Sequence, residues 1–218
     1  MNPLPPPALL VFLTTLLRSR EVWLPGPSSA WDPAWRSALP GRLWPRPFTA
    51  PAEPPPQADL VILPTPPPPQ GPAPRLFLLP EPVWTPAPSL APLLAPLRLP
   101  GQPAWWLGSG RARLEAPVQA ALEELQAQER GGAALELLPP EVGCLAHVLA
   151  SARGASRALE LGSGAGAGTL WLASGLLPEG RLTAVEPDAP RLVQARRSLR
   201  AAGLAERVGF QQGLLERL

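Results

Sequence analysis

The sequence predicts an α/β fold with a doubly wound, mostly parallel sheet, and two observations in residues 114–218 predict it. Short apolar runs of strand length alternate there with helical patterns. A glycine-rich turn, Gly162–Gly168, stands between the first of these strands and the helix that follows it. Alternation of this kind is typical of parallel strands joined by right-handed crossovers.

The elements of this range follow from periodicity and from breakers. Two helices come first: one is stopped by Gly131-Gly132, and Pro140 opens the other, in which Val142, Leu145 and Leu149 share a face. Asp188 stands where it can cap the last helix. Strands and helices then alternate as strand 158–161, helix 169–177, strand 182–185, helix 190–202 and strand 208–211.

Residues 1–113 have a different composition. They contain 29 of the 35 prolines, and seven of the eight tryptophans. No helix is predicted there, because apolar runs of strand length stand between prolines. We therefore divide the chain into a proline- and tryptophan-rich segment, 1–113, of unknown function, and a domain, 114–218. The runs are Leu9–Leu13, Val22–Leu24, Leu60–Leu63, Leu76–Leu79 and Trp105–Leu107.

Composition excludes several classes of protein. The single cysteine allows no intrachain disulfide, which favours a reducing compartment. The net charge is only +2 and no basic cluster joins the aromatic residues, so we predict no nucleic-acid partner. The apolar run Ala8–Leu17 is too short to cross a bilayer and no lysine or arginine precedes it. We therefore expect a cytoplasmic protein without a membrane partner.

The glycine-rich turn is the candidate cofactor site. Glycines between a strand and a helix let a ligand approach the backbone, where free amides face it. The spacing alone leaves two cofactors open, because Gly162, Gly164 and Ala167 also satisfy the G-x-G-x-x-A form of the dinucleotide motif. The turn is therefore compatible with S-adenosyl-L-methionine and with NAD.

Two acidic residues next to this turn separate the two cofactors. Glu186 ends the second strand, where its carboxylate can accept hydrogen bonds from the ribose hydroxyls of either cofactor. Glu160 stands two residues before Gly162; a carboxylate there would repel a pyrophosphate but could orient the ammonium group of a methionine. Glu160 therefore favours adenosylmethionine. The alternative is that Glu160 and Glu186 are solvent-exposed charges that contact no ligand.

The stretch from Leu137 to Phe210 resembles the small O-methyltransferase family that includes catechol and caffeoyl-coenzyme A O-methyltransferases. These are class I S-adenosylmethionine-dependent methyltransferases with a Rossmann-like sheet, and the resemblance covers roughly residues 114–218. It implies that the segment Pro139–Gly143 lies over the cofactor, that Glu160 contacts its amino group and that Glu186 holds its ribose. With the turn, the cofactor contacts are Val142, Glu160, Gly162, Ser163, Gly164, Gly166 and Glu186.

The resemblance implies O-methyl transfer to the hydroxyl of a small molecule, and it leaves room for a divalent metal such as Mg²⁺ and for a homodimer. The sequence departs from the family at Ala167-Gly168, where an aromatic residue and a serine are common, and at Gly213-Leu214. No counterpart of the family's metal-binding aspartate is found. No catalytic residue or metal ligand is assigned, and His147 and Cys144 are interpreted as packing residues, or in the case of His147 as solvent-facing.

Three interpretations of the whole chain remain open. In the first, a methyltransferase carries an unrelated proline-rich extension. In the second, Leu60–Leu63 and Leu76–Leu79 pair beside the strand Ala158–Leu161 and complete its sheet. In the third, a degenerate nucleotide-type fold acts as a scaffold that presents segments such as Pro64–Pro69 to partners, or the domain is a relative of NAD-binding oxidoreductases.

Overall fold

The structure is a computed structural model that describes residues 4–19, 21–25, 32–41, 43–48, 60–62, 75–81, 94–101 and 104–213. The chain divides into two compact units, Met1–Arg111 and Ala112–Leu218. The proline-rich segments Pro54–Pro56 and Pro64–Pro69 lie outside the described residues. None of the helices in the described part of the chain combines the length and the apolar character that crossing a membrane requires.

In its described part the first unit contains two helices, α1 (Pro7–Leu17) and α2 (Pro33–Ser37). Its described strands are β1 (Glu21–Pro25), β2 (Trp44–Phe48), β3 (Leu60–Ile62), β4 (Leu76–Pro80), β5 (Leu94–Leu97) and β6 (Trp105–Gly108). They form a six-stranded mixed sheet in the order β2-β1-β3-β4-β6-β5. Strands β1 to β4 run parallel to one another, whereas β6 is antiparallel to both of its neighbours.

Helix α1 corrects the prediction of a strand at Leu9–Leu13. Its first residue is Pro7, a position at which proline's missing N–H is tolerated. Leu10, Leu13 and Leu17 are buried at helical spacing. The Thr14 hydroxyl donates to the Leu10 carbonyl at 2.7 Å. A short, continuously apolar run fits a buried helix as well as a strand, so periodicity could not distinguish the two.

Four of the predicted strands of the first unit are present, and two others were missed. The missed strands, β2 and β5, lie at the two edges of the sheet and contain prolines, which edge strands tolerate because half of their N–H groups are unpaired. Strand β3 pairs with β1 and β4, not beside Ala158–Leu161. The second interpretation is therefore wrong, because both edges of β3 are occupied by β1 and β4, and both edges of β4 by β3 and β6.

The second unit has the predicted alternation, and the α/β prediction is confirmed. In chain order its described elements are α3 (Ala116–Arg130), α4 (Pro140–Arg153), β7 (Arg157–Leu161), α5 (Ala167–Gly175), β8 (Arg181–Glu186), α6 (Ala189–Ala201) and β9 (Val208–Gln212). A 3-10 turn, Ala205–Arg207, precedes β9. The three strands are parallel and lie in the order β7-β8-β9.

The face that α4 buries differs from the predicted one. Val142 is 48% exposed, and Leu145 and Leu149 are only half-buried. The buried face is formed instead by Gly143, Cys144, His147, Val148 and Ser151. The reason is the packing of α4 against α5: a Cβ at Gly143 would lie 2.2 Å from Cδ1 of Trp171, so the absence of a side chain there admits the indole ring.

Asp188 caps α6 as its position predicts. Its Oδ1 accepts a hydrogen bond from the Arg191 amide at 3.0 Å, and Pro190 follows in the first turn. We expect Asp188→Ala to lower the free energy of unfolding by about 1 kcal/mol, measured by urea denaturation, because one amide loses its partner. Asp188→Asn should restore most of the loss, and a stable Asp188→Ala variant would contradict the capping role.

Candidate functional site

The turn between β7 and α5 has a backbone that requires glycine. Gly162, Gly164 and Gly166 have φ values of 82°, 52° and 97°, a region that other residues rarely adopt. The amides of Gly162 and Ser163 both donate to the Val185 carbonyl in β8, at 2.8 and 3.1 Å. The start of the turn is thus fixed to the neighbouring strand.

The end of the turn packs against α6. A Cβ at Gly166 would lie 2.9 Å from both Cα and Cβ of Ala195, closer than real contacts of this kind. Ala195 itself is fully buried. Gly166 therefore meets two requirements at once, its left-handed conformation and its close approach to a helix, and neither involves a ligand.

A cavity of about 170 Å³ opens beside this turn. Three parts of the second unit line it. They are the carboxylate-bearing residue Glu160 at the end of β7, residues 162–165 and 167–168 of the turn and the start of α5, and Glu136, Leu137 and Leu138 from the segment between α3 and α4.

The Glu160 side chain lies over the first turn of α5. Its Oε2 accepts a hydrogen bond from the Thr169 hydroxyl at 2.6 Å. A Cβ at Gly168 would lie 2.5 Å from Oε1, so the carboxylate occupies the space that this glycine leaves. Burial raises the pKa of Glu160 to about 7, with a further upward contribution from Glu186, while the Thr169 bond lowers it. Glu160 is therefore not a solvated strand-end charge.

The Glu186 carboxylate is buried and accepts hydrogen bonds from the backbone of two segments, the glycine-rich turn and the loop that follows β8. It is 4% exposed. Its Oε2 accepts from the Gly164 amide at 2.7 Å, and its Oε1 accepts from the Asp188 amide at 3.1 Å. Because each carboxylate oxygen can accept two hydrogen bonds, both oxygens retain acceptor capacity for hydroxyl groups. Glu186 is therefore organised as an acceptor before any ligand binds.

Ser163 carries an unused hydroxyl at the cavity. Its side chain is 5% exposed, and within the described part of the chain its Oγ is buried without a hydrogen-bond partner. Leaving such a group unpaired costs about 1–3 kcal/mol. A polar ligand atom in the cavity would supply the missing partner.

The segment between α3 and α4 closes one side of the cavity and was not singled out by the sequence. Glu136 has a positive φ of 53°, and its carboxylate forms an ion pair with Arg191 in the first turn of α6. The Leu137 amide donates to Oε1 of Glu129 in α3 at 2.8 Å. These contacts fix Leu137 and Leu138 beside the turn.

The structure brings together four of the seven predicted cofactor contacts. Glu160, Gly162, Ser163 and Gly164 line the cavity. Of the other three, Gly166 packs against α6, Glu186 lies behind the turn and bonds to it, and Val142 is an exposed residue in the first turn of α4. Ligand contact by any of the seven stays a prediction.

His147 lies in the interface between α4 and α5, and neither His147 nor Cys144 lines the cavity. His147 is fully buried, with Nδ1 3.0 Å from Ser174 Oγ and 3.2 Å from the Trp171 carbonyl, and burial lowers its pKa. It is therefore not solvent-facing. Cys144 is 4% exposed and burial raises the pKa of its thiol to about 12, so it is a packing residue.

The described residues contain no group of three or more His, Cys, Asp or Glu side chains that could hold a metal ion. The cavity is instead lined by two carboxylate-bearing residues, Glu136 and Glu160, and by Ser163 of the glycine-rich turn. A strand–glycine turn–helix unit with an acid at the end of the second strand is the cofactor site of Rossmann-like domains. Fold and site together define the second unit as a domain of this class.

Comparison with curated proteins identifies relatives that are named as O-methyltransferases. One, from Mycobacterium tuberculosis, is 33% identical over 112 residues, which cover 49% of this chain and 48% of the relative. Another, from Mycolicibacterium vanbaalenii, is 40% identical over 92 residues, or 41% and 38% of the two chains. The chain spans about half the length of the curated relatives it matches. The resemblance to O-methyltransferases is confirmed for that part of the chain.

Solved structures give a similar but partial likeness. The O-methyltransferase of Bacillus cereus in complex with SAH is 28% identical, with a TM-score of 0.40, over 48% of this chain and 46% of the other. The O-methyltransferase TomG of Streptomyces achromogenes in complex with SAM is 29% identical, with a TM-score of 0.41, over 49% and 46%. No model of a known protein family matches the chain.

Proposed function

We propose that the second unit binds S-adenosyl-L-methionine and that the protein transfers its methyl group to a hydroxyl of a small molecule. The observation that carries this proposal is the Glu160 carboxylate, which lines the cavity beside the glycine-rich turn. The relatives named as O-methyltransferases support the reaction class.

The residues present fit the three parts of this cofactor. Glu160 is an acceptor for the ammonium group of the methionine moiety. The Ser163 hydroxyl, which lacks a partner among the described residues, is a donor for its carboxylate. Glu186 stands behind the turn with acceptor capacity for the ribose hydroxyls. The residues in and behind the turn thus offer a partner of the right kind to the ammonium group, the carboxylate and the ribose hydroxyls.

The same geometry argues against NAD. In dinucleotide sites the pyrophosphate lies at the N-terminus of the helix that follows the glycine-rich turn. In this protein the Glu160 carboxylate lies over that part of α5, where it bonds to Thr169 and contacts Gly168. A pyrophosphate would meet a carboxylate at short distance, whereas an ammonium group is attracted to it.

When bound, the cofactor supplies an electrophilic methyl group for in-line displacement. The contribution of this chain is to bind and orient the cofactor, since proximity and orientation lower the barrier of such a transfer. No described residue is assigned as the base that deprotonates the acceptor. The Mg²⁺ implied by the resemblance does not fit the described residues, which hold no metal-ligand cluster, so no step is assigned to a metal.

Isothermal titration calorimetry with adenosylmethionine, its demethylated product adenosylhomocysteine and NAD tests the proposal. We expect the first two to bind and NAD not to bind. Binding of NAD alone would favour a relative of NAD-dependent oxidoreductases, and binding of none of the three would favour the scaffold interpretation.

A cytoplasmic location, a small-molecule methyl acceptor and a homodimer complete the proposal. Size-exclusion chromatography with light scattering tests whether the protein is a homodimer.

Glu186→Ala should weaken adenosylhomocysteine binding about tenfold or more, because the ribose loses a charged acceptor and the Gly164 amide loses its partner. Calorimetry measures the change. Glu179→Ala, which removes an exposed acid of the same unit, is the matched control and should bind like the unmodified protein. Unchanged affinity in Glu186→Ala would contradict the assignment of the ribose to this residue.

A further inference from the structure

We propose that Thr169 is a positioning residue that holds the Glu160 carboxylate for the cofactor's ammonium group, in the space left by Gly168. The proposal rests on the proposed function, because it assigns a role within the same cofactor site. Neither Thr169 nor Gly168 was among the residues that the sequence or the family resemblance marked as cofactor contacts.

The contact between Thr169 and Glu160 is short and partly buried. Thr169 is fully buried, and its hydroxyl donates to Oε2 of Glu160 at 2.6 Å. This distance is typical of a hydrogen bond between a hydroxyl and an ionised carboxylate. The bond occupies one carboxylate oxygen and fixes the plane of the group. Oε1, which lies over Gly168, is left to face a ligand, since both Glu160 and Gly168 line the cavity.

The glycine at position 168 is explained by space and not by backbone conformation. Its φ is not in the left-handed region, unlike those of Gly162, Gly164 and Gly166. A Cβ at position 168 would instead lie 2.5 Å from Oε1 of Glu160, so any side chain there displaces the carboxylate. The departure from the family pattern at Gly168 thus coincides with the place that the carboxylate occupies.

The electrostatic surroundings make the Thr169 bond matter near neutral pH. Glu186 from β8 and Glu136 from the α3–α4 segment are the other acids near the carboxylate, and no basic residue is among those that line the cavity in the described part of the chain. Burial and Glu186 raise the pKa of Glu160 to about 7, while the Thr169 bond lowers it. Without the hydroxyl the pKa rises further, and more of the protein carries a neutral Glu160 that attracts an ammonium group weakly.

The test compares Thr169→Val, which keeps the shape of the side chain, with Thr169→Ser, which keeps the hydroxyl. Calorimetry measures adenosylhomocysteine affinity from about pH 5.5 to about pH 7, where an α-amino group stays mostly protonated. We expect the affinity of the unmodified protein to rise with pH. Thr169→Val should bind about three- to tenfold more weakly at about pH 7, with the rise displaced to higher pH. Thr169→Ser should restore both the affinity and its pH dependence to those of the unmodified protein.

A ligand without the amino-acid part separates positioning from general damage. We expect 5′-methylthioadenosine, which has the adenosine but no ammonium group, to bind Thr169→Val and the unmodified protein equally and without this pH dependence. Gly168→Ala provides a second, independent variant: it should weaken adenosylhomocysteine binding while leaving methylthioadenosine binding unchanged, because it displaces Oε1 without removing the hydroxyl.

The outcomes are distinct. If the unmodified protein binds no adenosylhomocysteine, the proposed function is wrong and this inference fails with it. If the unmodified protein binds it but Thr169→Val has the same affinity and pH profile, only the role of Thr169 is wrong. Equal loss of affinity for both ligands would show a structural role and would also overturn the inference. Should Thr169→Val not fold, Gly168→Ala and Thr169→Ser decide on the same criteria.

Discussion

Glu160→Gln is expected to stabilise the unliganded protein above neutral pH while weakening adenosylmethionine binding about tenfold or more. The two effects have one cause. Burial makes the ionised carboxylate unfavourable in the folded protein, and the same desolvated charge attracts the ammonium group of the cofactor. A neutral amide of the same shape removes both the desolvation cost and the attraction for the ammonium group. Its carbonyl can still accept the hydrogen bond from the Thr169 hydroxyl.

The sign of the pH dependence follows from the raised pKa. The pKa of Glu160 is about 7 in the folded protein and 4.5 for the unperturbed group, so between these values the folded state binds more protons than the unfolded state. The free energy of unfolding therefore falls as pH rises through this window. By about pH 8 the loss is about 3 kcal/mol, which Glu160→Gln should recover, whereas at about pH 4 the variant gains nothing.

Urea denaturation at the two pH values and calorimetry at the higher one measure the two effects. Glu179→Gln serves as the control, since this acid is exposed, and it should change neither stability nor affinity. A Glu160→Gln variant that is less stable than the unmodified protein at both pH values would show that the carboxylate is needed for folding. That result would contradict the expectation that the buried charge of Glu160 lowers stability and serves cofactor binding instead.

Gly143→Ala is expected to destabilise the second unit by about 2 kcal/mol. The new Cβ would lie 2.2 Å from Cδ1 and 2.5 Å from Nε1 of Trp171, a rigid ring that is itself 5% exposed. Alanine is favoured over glycine within a helix by about 1 kcal/mol, but the overlap with the ring requires α4 and α5 to move apart and outweighs that gain. Urea denaturation measures the net effect.

Gly209→Ala is the matched control for this substitution. A Cβ there meets nothing closer than the Leu182 carbonyl oxygen at 4.0 Å, so we expect a change within about 0.5 kcal/mol. Combining Gly143→Ala with Trp171→Leu should cost less than the sum of the two single changes, because the smaller side chain relieves the overlap. A Gly143→Ala variant as stable as the unmodified protein would show that the ring moves freely.

The sequence predicted the order of elements in the second unit because its breakers stand where helices end and its apolar runs match strand lengths. Helices α1 and α2 and the proline-containing edge strands β2 and β5 were missed. Local pattern does not distinguish a buried helix from a strand or an edge strand from a loop, and α2 is a short helix without a buried residue. The face of α4 was wrong for another reason. The buried face is set by the contact between Gly143 and Trp171, which lies 28 positions further along the chain.

Part of the candidate site was also beyond sequence reasoning. The turn and its two acids could be predicted, because strand ends and glycine spacing place them at one edge of a parallel sheet. Thr169 could not, since an isolated threonine within a helix has no signal of its own. Its relation to Glu160, and the space at Gly168, exist only once strand and helix are packed together.

The bonds that fix the turn to β8 have a consequence for how a ligand arrives. The amides of Gly162, Ser163 and Gly164 are already satisfied by Val185 and Glu186. Ordering a free backbone costs about 1–2 kcal/mol per residue, and here that entropy is lost during folding instead of at the binding step. We therefore expect association in a single kinetic phase, with differences in affinity between ligands appearing mainly in their dissociation rates.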